Sequence, residues 1–207
     1  MDIQNFLRDL VILAPPFLLG LTVHELSHGL MADRLGDHTA RSLGRLTMNP
    51  LKHLDPIGVL CFFLIKIGWA KPVPVNPVYF RNPRQGMLWV ALAGPAANLA
   101  LALASAVLLR VLLALGGIIP MYFLLPVAQM CAASVWINLM LAVFNLLPVP
   151  PLDGSRVVVG LLPPEMAAAW NRLEPYGFLI LLVLFYTGIL SKVIMPLISF
   201  SQSLLLP

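Results

Sequence analysis

The sequence predicts an all-α, multi-pass membrane protein: a single domain over 1–207 with about four transmembrane helices, a re-entrant or interfacial segment and a small membrane-associated β element. Three observations carry this. Of 207 residues, 59% are hydrophobic and 11% charged, against about 25% charged in soluble domains, and the mean hydropathy is +0.90. The apolar residues gather in runs long enough to cross a bilayer, which takes about 20 residues. Between the first two runs lies a polar, turn-rich stretch, 36–84, of a different character.

The first predicted helix is 3–35, with its apolar centre from Leu10 to Val23 and Pro15-Pro16 inside it. A proline pair removes backbone donors and kinks a helix, which membranes tolerate where neighbours cover the freed carbonyls. The mixed-charge start (Asp2, Arg8, Asp9) and the unbroken run into polar sequence do not match a cleaved signal. Within 36–84, Arg41 to Met48 roughly alternates polar and apolar, as a short strand does. Asn49-Pro50 and Asp55-Pro56 are turns. Ile57 to Ile67 is apolar but too short to span. Lys71 to Phe80 is rich in proline and valine, which fits only an edge strand. A second membrane helix is predicted over 85–115, ended by Gly116-Gly117, and a third over 122–147, ended by a proline-rich turn. A mixed connection follows, and the last membrane helix is 176–200, with Pro196 near its end.

Eight of the thirteen Lys and Arg residues lie between Asp33 and Arg84. By the positive-inside rule that stretch faces the cytoplasm, and both termini face outward. Nucleic-acid binding is excluded, because no basic stripe with exposed aromatics exists. Cys61 and Cys131 sit far apart in apolar stretches and read as free, buried residues. The four tryptophans read as interfacial anchors or packing.

Chemistry concentrates at His24-Glu25-Leu26-Ser27-His28, at the end of the first apolar run. On a helix, residues four apart share a face, so His24 and His28 can offer two imidazoles to one metal ion, with Glu25 beside them. Zinc suits imidazole and carboxylate ligands and can keep one position for water. The metal lowers the pKa of that water, and the neighbouring carboxylate can take its proton. Two histidines and a glutamate at membrane depth are costly unless they form a site. Read alone, Asp153-Gly154-Ser155 fits a helix cap after a proline turn, and Gly94 and Asn98 fit close helix packing with an interhelical hydrogen bond. His38 and His53 read as ordinary loop histidines.

Three motifs occur in order: His24-Glu25-x-x-His28, Gly94-Pro95-x-x-Asn98, and Asn145-x-x-Pro148-x-Pro150-x-Leu152-Asp153-Gly154. Together they resemble the site-2 protease family of intramembrane zinc metalloproteases, in a compact form without a PDZ-like or CBS-like domain. The resemblance implies one zinc per chain held by His24, His28 and Asp153, with Glu25 as catalytic base. It also implies that the substrate is a transmembrane segment of another protein. Asn145 is a candidate oxyanion donor, since its amide lies in the same turn as Asp153, and Asn98 and Gly94 are candidates for shaping the site. The simplest location is the cell membrane, with the site towards the cytoplasm. Because a helical substrate must unwind before attack, the predicted strand at 71–80 could hold it by strand addition. Two other classes remain: a membrane zinc transporter, and a catalytically silent membrane binding protein. A different zincin would take its third ligand from Glu165 or Glu174. Oligomeric state is open.

Overall fold

The computed structural model describes residues 3–65 and 69–206. Among the described residues, three helices are long and apolar enough to cross a membrane: α1 (Ile3–Arg34), α4 (Pro83–Ala114) and α5 (Met121–Asn145). They match the first three predicted spans to within two residues at each end. Shorter helices connect and flank them: α2 (Thr39–Ser42), α3 (Pro56–Ile65), α6 (Asp153–Leu161), α7 (Pro164–Asn171), α8 (Gly177–Tyr186) and α9 (Ile189–Leu205).

The three long helices pack on one another through small residues. Ala102 and Ala106 of α4 meet Val135 and Leu139 of α5, all fully or almost fully buried. Lipid is as apolar as leucine, so the packing that holds membrane helices together needs close backbone approach, which small side chains allow. Large apolar side chains such as Leu103, Val107 and Val111 of α4 stay outward and exposed. Pro15 and Pro16 lie inside α1, whose helix continues through them.

The fourth predicted span, 176–200, differs. It is broken at Thr187-Gly188 into α8 and α9, and the segments on either side of the break, Pro164–Tyr186 and Ile189–Leu205, bend by 76°. The break belongs to Gly188, whose φ of +72° is the left-handed conformation that ends helices. Pro196, placed by the sequence near the end of the span, sits inside α9. That helix buries Leu190, Ile194 and Ile198 against Met140, Val143, Phe144 and Leu147 at the end of α5.

The β element also differs. Among the described residues no strand forms, and a single antiparallel bridge joins Leu54 and Ala70. The would-be partner at 41–48 is taken up by the end of α2 and by a turn at Gly44, whose φ is +64°. In 71–77, prolines at 72, 74 and 77 remove the donors a ladder needs. Side chains hold the segment instead. Arg45 donates to the carbonyls of Lys71 and Pro72, and the buried Asp37 accepts from the Asn76 N–H. Pro77–Tyr79 then turns in a 3-10 helix. The short apolar segment predicted at 57–67 is α3, which begins at Pro56. Lys66 and Ile67 at its end lie outside the described residues, as does the side chain of Cys61. Cys131 is buried and free.

Candidate metal centre

Two elements far apart in sequence, α1 and the start of α6, converge on one point. The Nε2 atoms of His24 and His28 are 3.0 Å apart, and each is 3.2 Å from Asp153 Oδ2. The two histidines share a face of α1 because they are one turn apart. Asp153 arrives from the turn after α5. It is the first residue of α6; Leu152 holds the cap position, and no side-chain cap bond forms. The cap reading of Asp153 therefore gives way to a carboxylate pointing at the histidines. Gly154 makes this possible: a Cβ there would lie 2.2 Å from the Leu146 carbonyl oxygen and 2.4 Å from that of Leu147. Only glycine lets α6 start so close beneath the end of α5.

Hydrogen bonds to each ring's Nδ1 fix the rings. His24 Nδ1 donates to Asn98 Oδ1 at 2.6 Å, and His28 Nδ1 donates to the Val90 carbonyl at 2.7 Å. With each Nδ1 committed as donor, a neutral ring presents a bare Nε2 lone pair. Three electron-pair donors then sit 3.0–3.2 Å apart, and Asp153 Oδ2 is buried without a hydrogen-bond partner. A shared proton would satisfy one pair of them. A single cation at the centre satisfies all three. Tetrahedral zinc with bonds of about 2.0–2.2 Å places its ligand atoms about 3.3 Å apart, so the donor set fits that ion. Among the described residues, His24, His28 and Asp153 form the group that could hold a metal ion.

Gly94 of α4 lies against both rings. A Cβ there would be 2.5 Å from His28 Nε2 and 2.7 Å from His24 Cε1, so the absent side chain is space the imidazoles use. Glu25 is buried next to the pair, and its Oε2 accepts the Val73 N–H at 2.9 Å. His24, Glu25, His28, Val73 and Asp153 open onto a cleft of about 480 Å³, lined also by Trp69, Val75, Leu141 and Arg156. Asn145 lines the cleft as well, with its Nδ2 donating back to the Leu141 carbonyl.

The other ionisable candidates lie elsewhere. His38 pairs with Asp33 at the surface, and His53 is fully buried with its Nε2 donating to the Thr47 carbonyl. Glu165 and Glu174 do not join the cluster, and Glu174 lines a neighbouring cavity. Sequence reasoning missed three contributors. Val73 and Arg156 sit in no recognisable motif. Asn138 gave only a weak signal, as an amide alone in an apolar helix.

The profile of peptidase family M50 matches residues 12–185. Two similar proteins carry the name "Putative zinc metalloprotease". YwhC of Bacillus subtilis is 42% identical over 182 residues, covering 88% of this chain and 83% of its own. Rip2 of Mycolicibacterium smegmatis is 33% identical over 193 residues, covering 91% of this chain and 71% of its own. No solved structure matches significantly.

Proposed function

The chain belongs to peptidase family M50 and is an intramembrane zinc metalloprotease; we propose that His24, His28 and Asp153 hold one zinc ion per chain and that Glu25 is its catalytic base. The convergence of three bare donor atoms within 3.2 Å carries the ligand assignment. Bound there, zinc would supply an acidified water and polarise a carbonyl. Glu25 is placed to take a proton from an attacking water and would deliver it to the leaving nitrogen. The Val73 N–H holds the Glu25 carboxylate in one orientation while leaving its other oxygen for that work. Asn145 has a second amide hydrogen beyond its bond to Leu141, and it is the donor we assign to the developing oxyanion.

The substrate is a transmembrane segment of a membrane protein, unwound where it enters the cleft. The extended residues 71–76 flank Glu25 and are the surface we assign to the unwound segment. With the pair around Gly188 counted as one crossing, four crossings give a single domain over 1–207. The basic residues between Asp33 and Arg84 then put the metal centre towards the cytoplasmic side of the cell membrane. A transporter would need further ligands along a path, and neither the family match nor the described residues support one.

Metal content of the purified protein in detergent tests the ligand set. About one zinc per chain in wild type, lost or weakened in Asp153→Ala, is the expected result. Equal zinc in both would remove Asp153 from the set.

A further inference from the structure

The His24 ring is held by a hydrogen-bonded ladder that runs beyond Asn98. Asn98 Nδ2 donates to the Gly20 carbonyl at 3.0 Å and to Asn138 Oδ1 at 2.8 Å. Asn138 Nδ2 in turn donates to the Ser134 carbonyl at 2.8 Å and approaches Ser134 Oγ at 3.2 Å. Ser134 Oγ shares a hydrogen with Ser105 Oγ at 2.8 Å, which returns the ladder to α4. Both amides are fully buried, and every polar atom they carry is used.

This bonding leaves each amide one orientation. Asn138 must turn its nitrogen to the Ser134 carbonyl, which leaves only its oxygen facing Asn98. Asn98 must then turn its nitrogen towards that oxygen and towards Gly20, leaving only its oxygen facing His24. A flip of Asn98 would set its oxygen against two others with no donor between them. An acceptor facing His24 Nδ1 requires the proton there and keeps Nε2 bare.

We propose that Asn138 is a positioning residue for the metal centre: through Asn98 it fixes His24 in the Nδ1–H tautomer before any metal arrives. The inference deepens the metalloprotease reading and rests on it for its purpose, although the tautomer itself can be read without metal. Gly20 belongs to the same device. A Cβ there would be 2.8 Å from Asn138 Oδ1, so its absence admits the amide between α1 and α4.

The test uses full-length protein in detergent, stripped of metal, with nitrogen-15 labelled histidine and His24→Gln for assignment. At a pH above the imidazole range, the His24 Nδ1 resonance of wild type is expected at the protonated position. In Asn138→Leu a bare-Nδ1 population appears, and zinc affinity measured against a competing chelator falls about tenfold. Asn138→Asp presents an oxygen acceptor to Asn98 Nδ2 in either protonation state and restores both readouts. Loss of fold alone would not produce that pattern of rescue. If Asn138→Leu does not fold, Gly20→Ala displaces the Asn138 oxygen and is expected to shift the same resonance. A His24 Nδ1 resonance unchanged in the folded variant would overturn the proposal, even with zinc bound normally. Wild-type protein that shows the expected tautomer but takes up no zinc would overturn the metalloprotease site and leave the ladder standing.

Discussion

Gly94→Ala is a one-carbon test of the metal centre. The added Cβ would lie 2.5 Å from His28 Nε2, 2.6 Å from His28 Cε1 and 2.7 Å from His24 Cε1, against an ordinary contact of 3.4–4 Å. Either the rings or α4 must shift by about 1 Å, whereas metal–ligand distances hold within about 0.2 Å. Disturbing the support of metal ligands costs about 10–100-fold in affinity, and a clash with both rings is expected at the upper end, on the order of 100-fold or about 2.7 kcal/mol. Global stability moves less. Overpacking costs about 1–3 kcal/mol, and alanine returns about 1 kcal/mol of helix propensity. The assay is equilibrium competition with a chromogenic zinc chelator beside a thermal melt. Gly117→Ala serves as control, because a Cβ there meets nothing within 4 Å. A zinc affinity within threefold of wild type in Gly94→Ala would refute the claim that α4 presses on both imidazoles.

Three further outcomes are expected. Glu25→Gln keeps zinc but loses about 10²–10⁴-fold in cleavage of a reconstituted membrane substrate, the range of general-base catalysis; near-wild-type turnover would remove the base assignment. Chelation lowers the melting temperature of wild type reversibly, by mass action of a ligand that binds only the folded state; an equal drop in Asp153→Ala would place the zinc elsewhere. The third concerns Asp37. Burial alone would raise its carboxyl, but hydrogen bonds from Thr39 and from the Asn76 N–H outweigh that and hold it below the usual range. With the folded value depressed, the unfolded chain takes the proton first as pH falls. The stabilisation is therefore complete above about pH 4 and drains away as pH drops through the folded value. Asp37→Asn is expected to lose about 1–3 kcal/mol at neutral pH and to show a flatter melting-temperature profile below pH 4; parallel profiles would contradict this.

Part of the proposed metal site was legible because its chemistry is written locally: two histidines four apart need only a helix to meet. Asp153 read alone as a helix cap, and only the resemblance carried by its Leu-Asp-Gly turn joined it to them. The spans at α1, α4 and α5 were legible from length and apolarity. Gly188 was not, because hydropathy barely changes across one Thr-Gly pair, while the backbone reverses its φ there. The strand at 71–80 was misread because its composition is that of an extended edge but its would-be partner turns at Gly44. Asn138 needed the register of α4 against α5, which no stretch of either helix contains. The Val73 bond to Glu25 likewise joins residues 48 positions apart.

The buried ladder from His24 to Ser105 also bears on how the chain assembles. Helices delivered into hydrocarbon one at a time find little in leucine and alanine to tell one rotation or one partner from another, since lipid offers a similar surface. Amides and hydroxyls do discriminate, because an unmatched polar group in that medium has nowhere else to turn. Ser105, Asn98, Asn138 and Gly20 can all be satisfied in one registration of α1, α4 and α5, the same one that aims His24 at Asp153. A misassembled bundle thus carries its own penalty, and the arrangement that closes the ladder is already the arrangement that can bind metal.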